Sequence, residues 1–437
     1  MKQDLRQLKS YLALLSTQSL SALGSGMTRF ALVIWLYQTS GSALETALLS
    51  VCSYAPYVTA SIFAGALSDR WDKRRVMLAC DLCAAVCTVV TLCLLRAGAL
   101  RPWHLYALNA VNGLMGTIQQ PASDVAATLL VPPAWYQRSS GLRSLSHSLN
   151  TLLTPAFATA LFTLAGMEAV IAFDLGTFAL AFAALLCYIR IPPVPRAADV
   201  ARQGVLADAR AGLRFVRGQP LVLTLMLYLA CINFVASAYE AALPALLLSR
   251  AHGGETALGL VNACAGAATL LGSALATLLP APRERVRVIR LTLLLSMSTE
   301  NFLLAFGRTP VTWCVGSVLG WLAIPLMNAN LDVILRSSIP PGMQGRVYAC
   351  RNTLQFFTIP LGYLAGGLLV DRVFRPLMAT TDPAGALARL FGADAGAGAA
   401  LTFFALGVVG VLVCLIFNRL LRGYVWRDAG CARAPSD

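Results

Sequence analysis

The sequence predicts an all-α membrane protein, with about twelve transmembrane helices in two six-helix bundles. Hydrophobic residues make up 57% of the 437 residues and charged residues 12%, about half the charged share of a soluble domain. Apolar runs long enough to cross a bilayer recur along the whole chain. The two halves of the chain also carry one short motif in the same register. Lipid is therefore the expected solvent, because a soluble fold could not bury this much apolar surface.

Each predicted helix is a run of about 20 or more apolar residues, the length that spans the hydrocarbon core. In order, the spans lie near 11–37, 43–66, 76–95, 103–128, 142–165, 167–190, 218–247, 257–279, 288–307, 311–335, 347–369 and 397–420. This arrangement predicts an N-terminal bundle at 1–190 and a cytoplasmic linker at 191–217. A C-terminal bundle with a short cytoplasmic tail follows at 218–437.

The positions of Lys and Arg predict the orientation. With the N-terminus in the cytoplasm, most of the 34 basic residues fall in inner loops and ends, as the positive-inside rule requires. Both termini and the linker are then cytoplasmic, and the connection Val370–Gly396 is extracytoplasmic. The net charge of +14 reflects this topology rather than a nucleic-acid partner, because no basic cluster is interleaved with stacking aromatic residues.

Several chemical classes are disfavoured by what the chain lacks. The 12 cysteines lie mostly within apolar runs, where they act as small packing residues. Cys80 and Cys83 form a CxxC pair, but no second pair lies at zinc-site spacing. Lys2, Lys9 and Lys73 are the only lysines, and none follows a glycine as in a phosphate-binding loop. We therefore expect no enzyme, metal or cofactor, and energy drawn from a gradient or from a partner.

An internal repeat relates the two halves. Both contain D-V-x6-P-P-x4-R-x4-R, beginning at Asp124 in the first half and at Asp332 in the second. The arginines of the motif are Arg138, Arg143, Arg346 and Arg351. Six predicted helices separate equivalent positions, so the copies share one orientation in the membrane, as in a parallel repeat about the membrane normal.

The loop between the second and third spans carries a more specific motif. Gly65–Arg75 reads G-A-L-S-D-R-W-D-K-R-R and resembles the loop signature G-x-L-x-D-R-x-x-x-R-R of the major facilitator superfamily. The segments at 27–42, 340–346 and 371–378 resemble its drug:proton antiporter branch, which contains macrolide-efflux and enterobactin-exporter proteins. The corresponding loop of the second half, 272–287, has no Asp that matches Asp69. The resemblance covers nearly the whole chain.

The resemblance implies a transporter of the bacterial inner membrane that works by alternating access. In the family this loop braces the cytoplasmic side of the outward-facing state, so Asp69 is expected to bind and release a helix end or an arginine. Asp124 and Asp332 are expected to pair with the arginines of adjacent loops. The alternatives are a solvated topology signal at Asp69 and ordinary helix-end charge at the other two. The candidate cytoplasmic gate is Gly65, Asp69, Arg70, Arg74, Arg75, Asp124, Arg138, Arg143, Asp332, Arg346 and Arg351.

Polar stripes on four predicted helices indicate a water-filled cavity. Arg29 is the only basic residue that lies away from the ends of a predicted span, and such a charge needs a cavity or a partner, unless its side chain extends to the outer interface. Glycines in the stripes are also consistent with close helix packing. The candidate cavity residues are Gln18, Ser25, Asn109, Asn112, Gln120, Asn233, Trp321 and Asn328.

Glu240 and Glu300 are the candidate proton carriers, with Arg29 as a residue that tunes them or holds an anionic group of the substrate. Each glutamate is a lone acid in an apolar helix, where low dielectric favours the neutral carboxyl. Glu240 is also consistent with an interfacial residue near Pro244. Asp81 and Asp174 carry less weight because they lie near predicted span ends.

Two functions share this fold. The first is proton-coupled export of an amphipathic small molecule, such as a drug, macrolide, siderophore or peptide-like metabolite. The second is an uptake facilitator or symporter for a small solute. The expected partners are a small-molecule substrate, protons and the lipid bilayer, and we expect a monomer.

Overall fold

The computed structural model describes residues 2–131, 135–192, 212–339, 347, 350–351, 354–427 and 430–433. Side chains are described within these ranges except at 2–7, 61–70, 136–138, 140 and 425–433. Nearly all of the described chain is helical, as the apolar runs predict. Nine of its helices are long and apolar enough to cross a membrane, so the chain is a multi-pass membrane protein. The number twelve stays a prediction.

The first half follows the predicted spans closely. Its helices are α1 (Lys2–Ser40), α2 (Ala43–Arg70), α3 (Lys73–Arg96), α4 (Pro102–Leu130) and α5 (Tyr136–Ala183), followed by a π-helical turn at Ala184–Tyr188. Within α5, Gly166 has φ 78° and ψ −179°, a conformation that a residue with a Cβ rarely adopts. The predicted boundary between the spans 142–165 and 167–190 falls at this glycine.

The second half contains more short elements than the predicted spans. Its helices are α6 (Pro220–Ser249), α7 (Glu255–Leu278), α8 (Arg285–Phe306), α9 (Pro310–Leu322), α10 (Ile324–Ser338), α11 (Thr358–Leu368), a π-helical segment (Leu369–Phe374), α12 (Arg375–Ala379), α13 (Ala386–Phe391) and α14 (Ala397–Leu421). A short antiparallel hairpin, β1 (Tyr424–Arg427) and β2 (Gly430–Arg433), follows. Of the linker, 191–192 and 212–217 are described, and 212–217 is helical.

Residue chemistry explains where several helices begin. Asp72 Oδ1 accepts a hydrogen bond of 2.9 Å from the backbone N–H of Arg75 and so caps α3. Pro102, Pro220 and Pro310 each lie in the first turn of a helix, where a missing N–H has no cost. These start signals are local, which is why the sequence locates the helix starts well.

Two predicted elements contain details that the apolar pattern does not show. The predicted span 311–335 corresponds to one apolar segment, Pro310–Ser338, which a turn at Ala323 divides into α9 and α10, because Pro325 has no N–H for the helical ladder. The connection predicted to begin at Val370 starts as a continuation of the helix, through the π-helical segment to Ala379. The apolar run does end near Leu369, but helical hydrogen bonding does not require apolar side chains.

The chain divides into two compact units. The first comprises Met1–Ser40 and Leu48–Val200, and the second comprises Gly41–Ala47 and Ala201–Asp437. In the first unit α1 packs along α5, and α3 packs on α4. Two apolar clusters form its core, one around Met27, Leu105 and Ile171 and the other around Tyr11 and Met77.

In the second unit α6 packs on α11 and α14, and α8 packs on α14. A Cβ at Gly366 would lie 2.7 Å from the Cα of Ala238, so glycine allows α6 and α11 to approach closely. Asp371 binds the short segment 41–47 of the same unit. Its Oδ2 accepts hydrogen bonds from Ser42 Oγ at 2.7 Å and from Leu44 N at 2.8 Å, and it thereby satisfies free N–H groups at the start of α2.

Candidate functional site

Residues of the first unit line an open cavity of about 640 Å³ with both polar and apolar walls, a volume within the range of small-molecule sites. Every cavity residue predicted in the first half lines it, together with Arg29. These residues are Gln18, Ser25, Arg29, Asn109, Asn112 and Gln120. The polar stripes of α1 and α4 therefore face one space.

Asp81 lines this cavity and is only 9% exposed. It lies well inside α3 rather than near its end. Gln119 Nε2 donates a hydrogen bond of 2.6 Å to Asp81 Oδ1, and Gln18 Nε2 donates one of 3.3 Å to Oδ2. Burial of a carboxyl group favours its neutral form, whereas the two amide donors favour the ionised form.

Arg29 has an acidic neighbour in the same cavity. Asp174 is 3% exposed, interacts electrostatically with Arg29, and accepts a hydrogen bond of 2.9 Å from Ser25 Oγ. Asp174 also lies well inside α5, beyond the break at Gly166. The cost of placing Arg29 within a span is thus offset by a nearby carboxylate.

The amides of α4 differ in how far they are satisfied. Asn109 Oδ1 accepts from Ser53 Oγ at 3.1 Å, and Asn109 Nδ2 donates to Leu105 O at 2.9 Å. Asn112 Oδ1, in contrast, is buried with no hydrogen-bond partner among the described residues. Buried acceptors are normally paired. Asn112 Oδ1 can therefore accept a hydrogen bond from a ligand, whereas Asn109 Oδ1 already accepts one from Ser53.

The second unit encloses a smaller cavity of about 340 Å³. Asn233, Trp321 and Asn328 line it, as does Glu300. Asn233 Nδ2 donates to Gln355 O at 3.2 Å. The three cavity residues predicted in the second half therefore share one space with one of the two predicted proton carriers.

Glu300 is 5% exposed, and its Oε1 has no hydrogen-bond partner among the described residues. Tyr239 and Trp321 are its hydrogen-bonding neighbours, and Glu240 interacts with it electrostatically. A Cβ at Gly320 would lie 2.5 Å from the Glu300 carboxyl carbon, so the glycine on α9 makes room for the acid on α8. A buried acid with a free oxygen and no cation beside it is suited to bind and release a proton.

Glu240 is in a different environment. It is exposed, and the hydroxyl of Tyr363 donates a hydrogen bond to its Oε2. Glu240 does not line the cavity that contains Glu300. Of the two predicted carriers, Glu300 is the one that lines this cavity.

The predicted gate residues are partly described. Arg74 donates to the backbone carbonyls of Leu185, at 3.0 Å, and Leu186, and so caps the π-helical turn of its own unit. Arg75 is exposed, and its backbone N–H is the donor to Asp72. Gly65 is described by its helical backbone alone. The side chains of Asp69, Arg70 and Arg138, and the whole of Arg346, lie outside the described residues.

Both repeats bring their aspartate to the last arginine of the motif. Asp124 pairs with Arg143 in the first unit, and Gln120 Nε2 lies 3.3 Å from Asp124 Oδ1. Asp332 lies 3.7 Å from Arg351 in the second unit. The shared register in the sequence thus corresponds to a shared ion pair.

Sequence reasoning underrated Asp81 and Asp174 and missed Gln119 and Tyr363. Gln119 lies seven residues after Asn112, on the same face of α4, and that spacing was the available signal. No comparable signal exists for Tyr363, whose relation to Glu240 depends on how α6 and α11 pack. The described residues contain no group of three His, Cys, Asp or Glu side chains that could hold a metal ion.

Comparison with known proteins gives a consistent picture. The family model of the Major Facilitator Superfamily matches residues 14–363. Macrolide efflux protein A of Streptococcus pyogenes is 21% identical over 359 residues, which cover 82% of this chain and 88% of that protein. The multidrug efflux pump Tap of Mycolicibacterium fortuitum is 25% identical over 362 residues, which cover 80% of this chain and 86% of that protein.

Solved structures agree in fold. A mutant of the nucleoside transporter NupG superposes with a TM-score of 0.70 at 13% identity, covering 95% of this chain and 100% of that chain. A bacterial homologue of the human lysosomal transporter Spinster, in an inward-facing and occupied conformation, gives a TM-score of 0.70 at 16% identity, with 98% of each chain covered. At these identities the likeness shows the fold alone.

Proposed function

Because the chain belongs to the Major Facilitator Superfamily, and is therefore a membrane transporter of small molecules rather than an enzyme, we propose that it exports an amphipathic molecule in exchange for protons. It acts as a monomer in a bacterial inner membrane, with both termini and the central linker in the cytoplasm. The relatives named as macrolide and multidrug efflux proteins support export over uptake.

Glu300 is the observation that carries proton coupling. The carboxyl is enclosed in the second-unit cavity, has a free Oε1, and has no cationic partner among the described side chains. A charged carboxylate there is expensive unless a proton or a cation joins it. Protonation in one state and release in the other would link the proton gradient to the transport cycle.

The linings of the two cavities support the second part of the proposal, that the substrate is amphipathic. Asn328 and Trp321 in the second unit, and Asn112 and Gln120 in the first, offer amide and indole groups beside aliphatic side chains. Such mixed linings bind molecules that carry both apolar and polar surface. Asp69, Asp124 and Asp332 are the proposed gate carboxylates at the cytoplasmic ends.

The test is export of a defined probe from proteoliposomes. With erythromycin as the probe, the parent protein should move erythromycin against its concentration gradient when a pH gradient is imposed. Without a pH gradient it should only exchange labelled for unlabelled erythromycin across the membrane. Glu300→Gln mimics the protonated acid and should abolish uphill transport while sparing exchange. Glu240→Gln reports on the second predicted carrier, and by the geometry its effect should be smaller.

Three results would count against the proposal. Uphill transport by both variants at the parental rate would mean that neither acid carries the proton. Erythromycin exchange that never responds to the gradient would favour a facilitator. Accumulation in the direction of proton entry would favour a symporter.

A further inference from the structure

The start of α2 is bound by a carboxylate from a distant part of the chain. Asp371, in the π-helical segment after α11, accepts hydrogen bonds from Ser42 Oγ at 2.7 Å, Ala43 N at 3.2 Å and Leu44 N at 2.8 Å. The free N–H groups of a helix start carry partial positive charge, so a carboxylate is favourable there. The helix also has a cap of its own, because Ser42 Oγ accepts from Glu45 N at 3.1 Å. Asp371 therefore attaches α2 to another helix in addition to capping it.

Two further residues on the same side of that helix contact the segment 41–47. Arg375 Nη1 donates a hydrogen bond of 2.6 Å to Gly41 O. A Cβ at Gly367 would lie 2.7 Å from the Cα of Leu44, so this glycine allows the two helices to approach closely. We call the contact of Gly367, Asp371 and Arg375 with residues 41–47 the α2 latch. Asp371 and Arg375 both lie in the segment 371–378, to which the function proposed above gives no role.

The helix α2 belongs to both compact units. Its first turn, up to Ala47, is part of the second unit, and from Leu48 onward it is part of the first. Helices bend most readily at proline or glycine, and the sequence from 43 to 55 contains neither. Pro56 lies beyond Leu48, in the stretch that already belongs to the first unit. A change in the angle between the units would therefore act on the latch rather than on a hinge within α2.

Resting on the transport cycle and the orientation proposed above, we propose that the α2 latch is an outer gate, which opens and closes once in each cycle. Asp371 is the positioning residue that holds it closed. Opening exposes polar groups at the outer surface, where water replaces the lost hydrogen bonds, so the contact is reversible. Ser42 continues to cap α2 when Asp371 leaves, and the helix start persists in the open state.

The experiment is cysteine labelling of cells that express the protein without its 12 native cysteines. Ala43→Cys reports on the latch, because Ala43 is 0% exposed and its N–H binds Asp371. Ala127→Cys reports on the predicted cytoplasmic side, since Ala127 lines the first-unit cavity near the end of α4. If Ala43→Cys does not reach the membrane, Ala47→Cys replaces it, because Ala47 is also buried and lies beside Gly367.

The first measurement is the rate at which a membrane-impermeant methanethiosulfonate reagent labels Ala43→Cys in intact cells. Asp371→Asn removes the charge that binds the start of α2 and should raise this rate about 10-fold or more, the range for a lost hydrogen bond to a charged group. Arg375→Met, which removes the donor to Gly41 O, should raise it about 5-fold.

Asp382→Asn is the matched control. Asp382 is an exposed residue of the same outer connection and accepts a hydrogen bond of 2.9 Å from Ala384 N. The same acid-to-amide change there should leave the labelling rate of Ala43→Cys unaltered.

The second measurement separates a gate from a contact that only stabilises the fold. A bulky impermeant maleimide is first attached to Ala43→Cys in intact cells, where it wedges the latch open. Inside-out vesicles are then prepared, and the labelling rate of Ala127→Cys is measured in the same protein. Because a transporter of this kind opens one side at a time, the wedge should slow labelling of Ala127→Cys about 10-fold or more, whereas local unfolding of the outer segment would leave that rate equal or raise it.

The proposal is overturned if Asp371→Asn leaves the rate at Ala43→Cys unchanged, or if Asp382→Asn raises it as much. If Asp371→Asn does not reach the membrane, Arg375→Met decides in its place. An unchanged or faster rate at Ala127→Cys after the wedge overturns the proposal too, as does reaction of Ala43→Cys only after the membrane is permeabilised. Because labelling needs neither erythromycin nor an imposed pH gradient, a failure here is distinct from a failure of Glu300→Gln to uncouple transport.

Discussion

The guanidinium of Arg351 lies 3.7 Å from the carboxylate of Asp332. Arg143 and Asp124 hold the same relation in the first unit, and 19 positions separate the partners in both cases. In both copies of the motif, an aspartate near the end of one helix therefore pairs with an arginine that follows the next loop. Ion pairs conserved between repeats in this way are suited to a symmetric gate.

The two pairs should matter for transport more than for stability. Side chains of Asp124 and Arg143 are 47% and 41% exposed, and such pairs contribute at most about 1 kcal/mol to folding. We expect Asp124→Asn and Asp332→Asn to lower erythromycin export severalfold with little change in Tm. Exchanging the charges, as Asp124→Arg with Arg143→Asp, should restore part of the export. Equal losses of Tm and transport would instead indicate a structural role.

Asp69→Asn should impair export while the amount of protein in the membrane stays constant, because the change removes charge with little change in volume. Asp72→Asn is the neighbouring control. Asparagine caps helices about as well as aspartate, so the cap on α3 should persist. Unchanged turnover in Asp69→Asn would make the loop a topology signal only.

Gly320→Ala should disturb the Glu300 carboxyl, since the added Cβ would meet it. We expect loss of uphill erythromycin transport with exchange retained, as for Glu300→Gln. Gly176→Ala is the control, because nothing lies within 4 Å of a Cβ placed at that position. Parental transport in Gly320→Ala would show that Glu300 has room to move.

Arg250→Met should destabilise the second unit. The Arg250 side chain is 4% exposed, binds Asp394 at 3.0 Å and donates to Phe391 O at 2.6 Å. Because the Asp394 side chain is 30% exposed, the main cost of the change is the lost donor to the buried carbonyl of Phe391, about 1–3 kcal/mol. Thermal unfolding in detergent should show a clear fall in Tm. Arg308→Met, which loses one exposed contact to Arg389 O, should change Tm far less.

Cysteine labelling tests the orientation. On a background that lacks the 12 native cysteines, Ala201→Cys in the linker should react only after the membrane is permeabilised. Thr381→Cys, in the outer connection, should react in intact cells. Strong external labelling of Ala201→Cys would invert the predicted topology.

Much of the fold could be predicted because membrane insertion leaves a strong one-dimensional pattern. The length of the apolar runs alone locates most of the helices. The break at Ala323 was missed because α9 and α10 together form one apolar run, and hydropathy does not register a proline inside it.

The candidate site was predictable only where helix periodicity reveals it. Gln18, Asn112 and Asn328 follow from polar stripes. Asp81 was underrated because distance from a predicted helix end was used as a substitute for burial. Its partners come from α1 and α4, and that tertiary packing has no signature along the chain.

The break at Ala323 has a mechanical consequence. Trp321 and Asn328 line the same cavity and lie on opposite sides of Ala323, where α9 gives way to α10. Because Pro325 removes one hydrogen bond from the helical ladder there, this is the point at which the apolar segment Pro310–Ser338 bends most readily. A bend at Ala323 would change the angle between Trp321 and the stretch that carries Asp332.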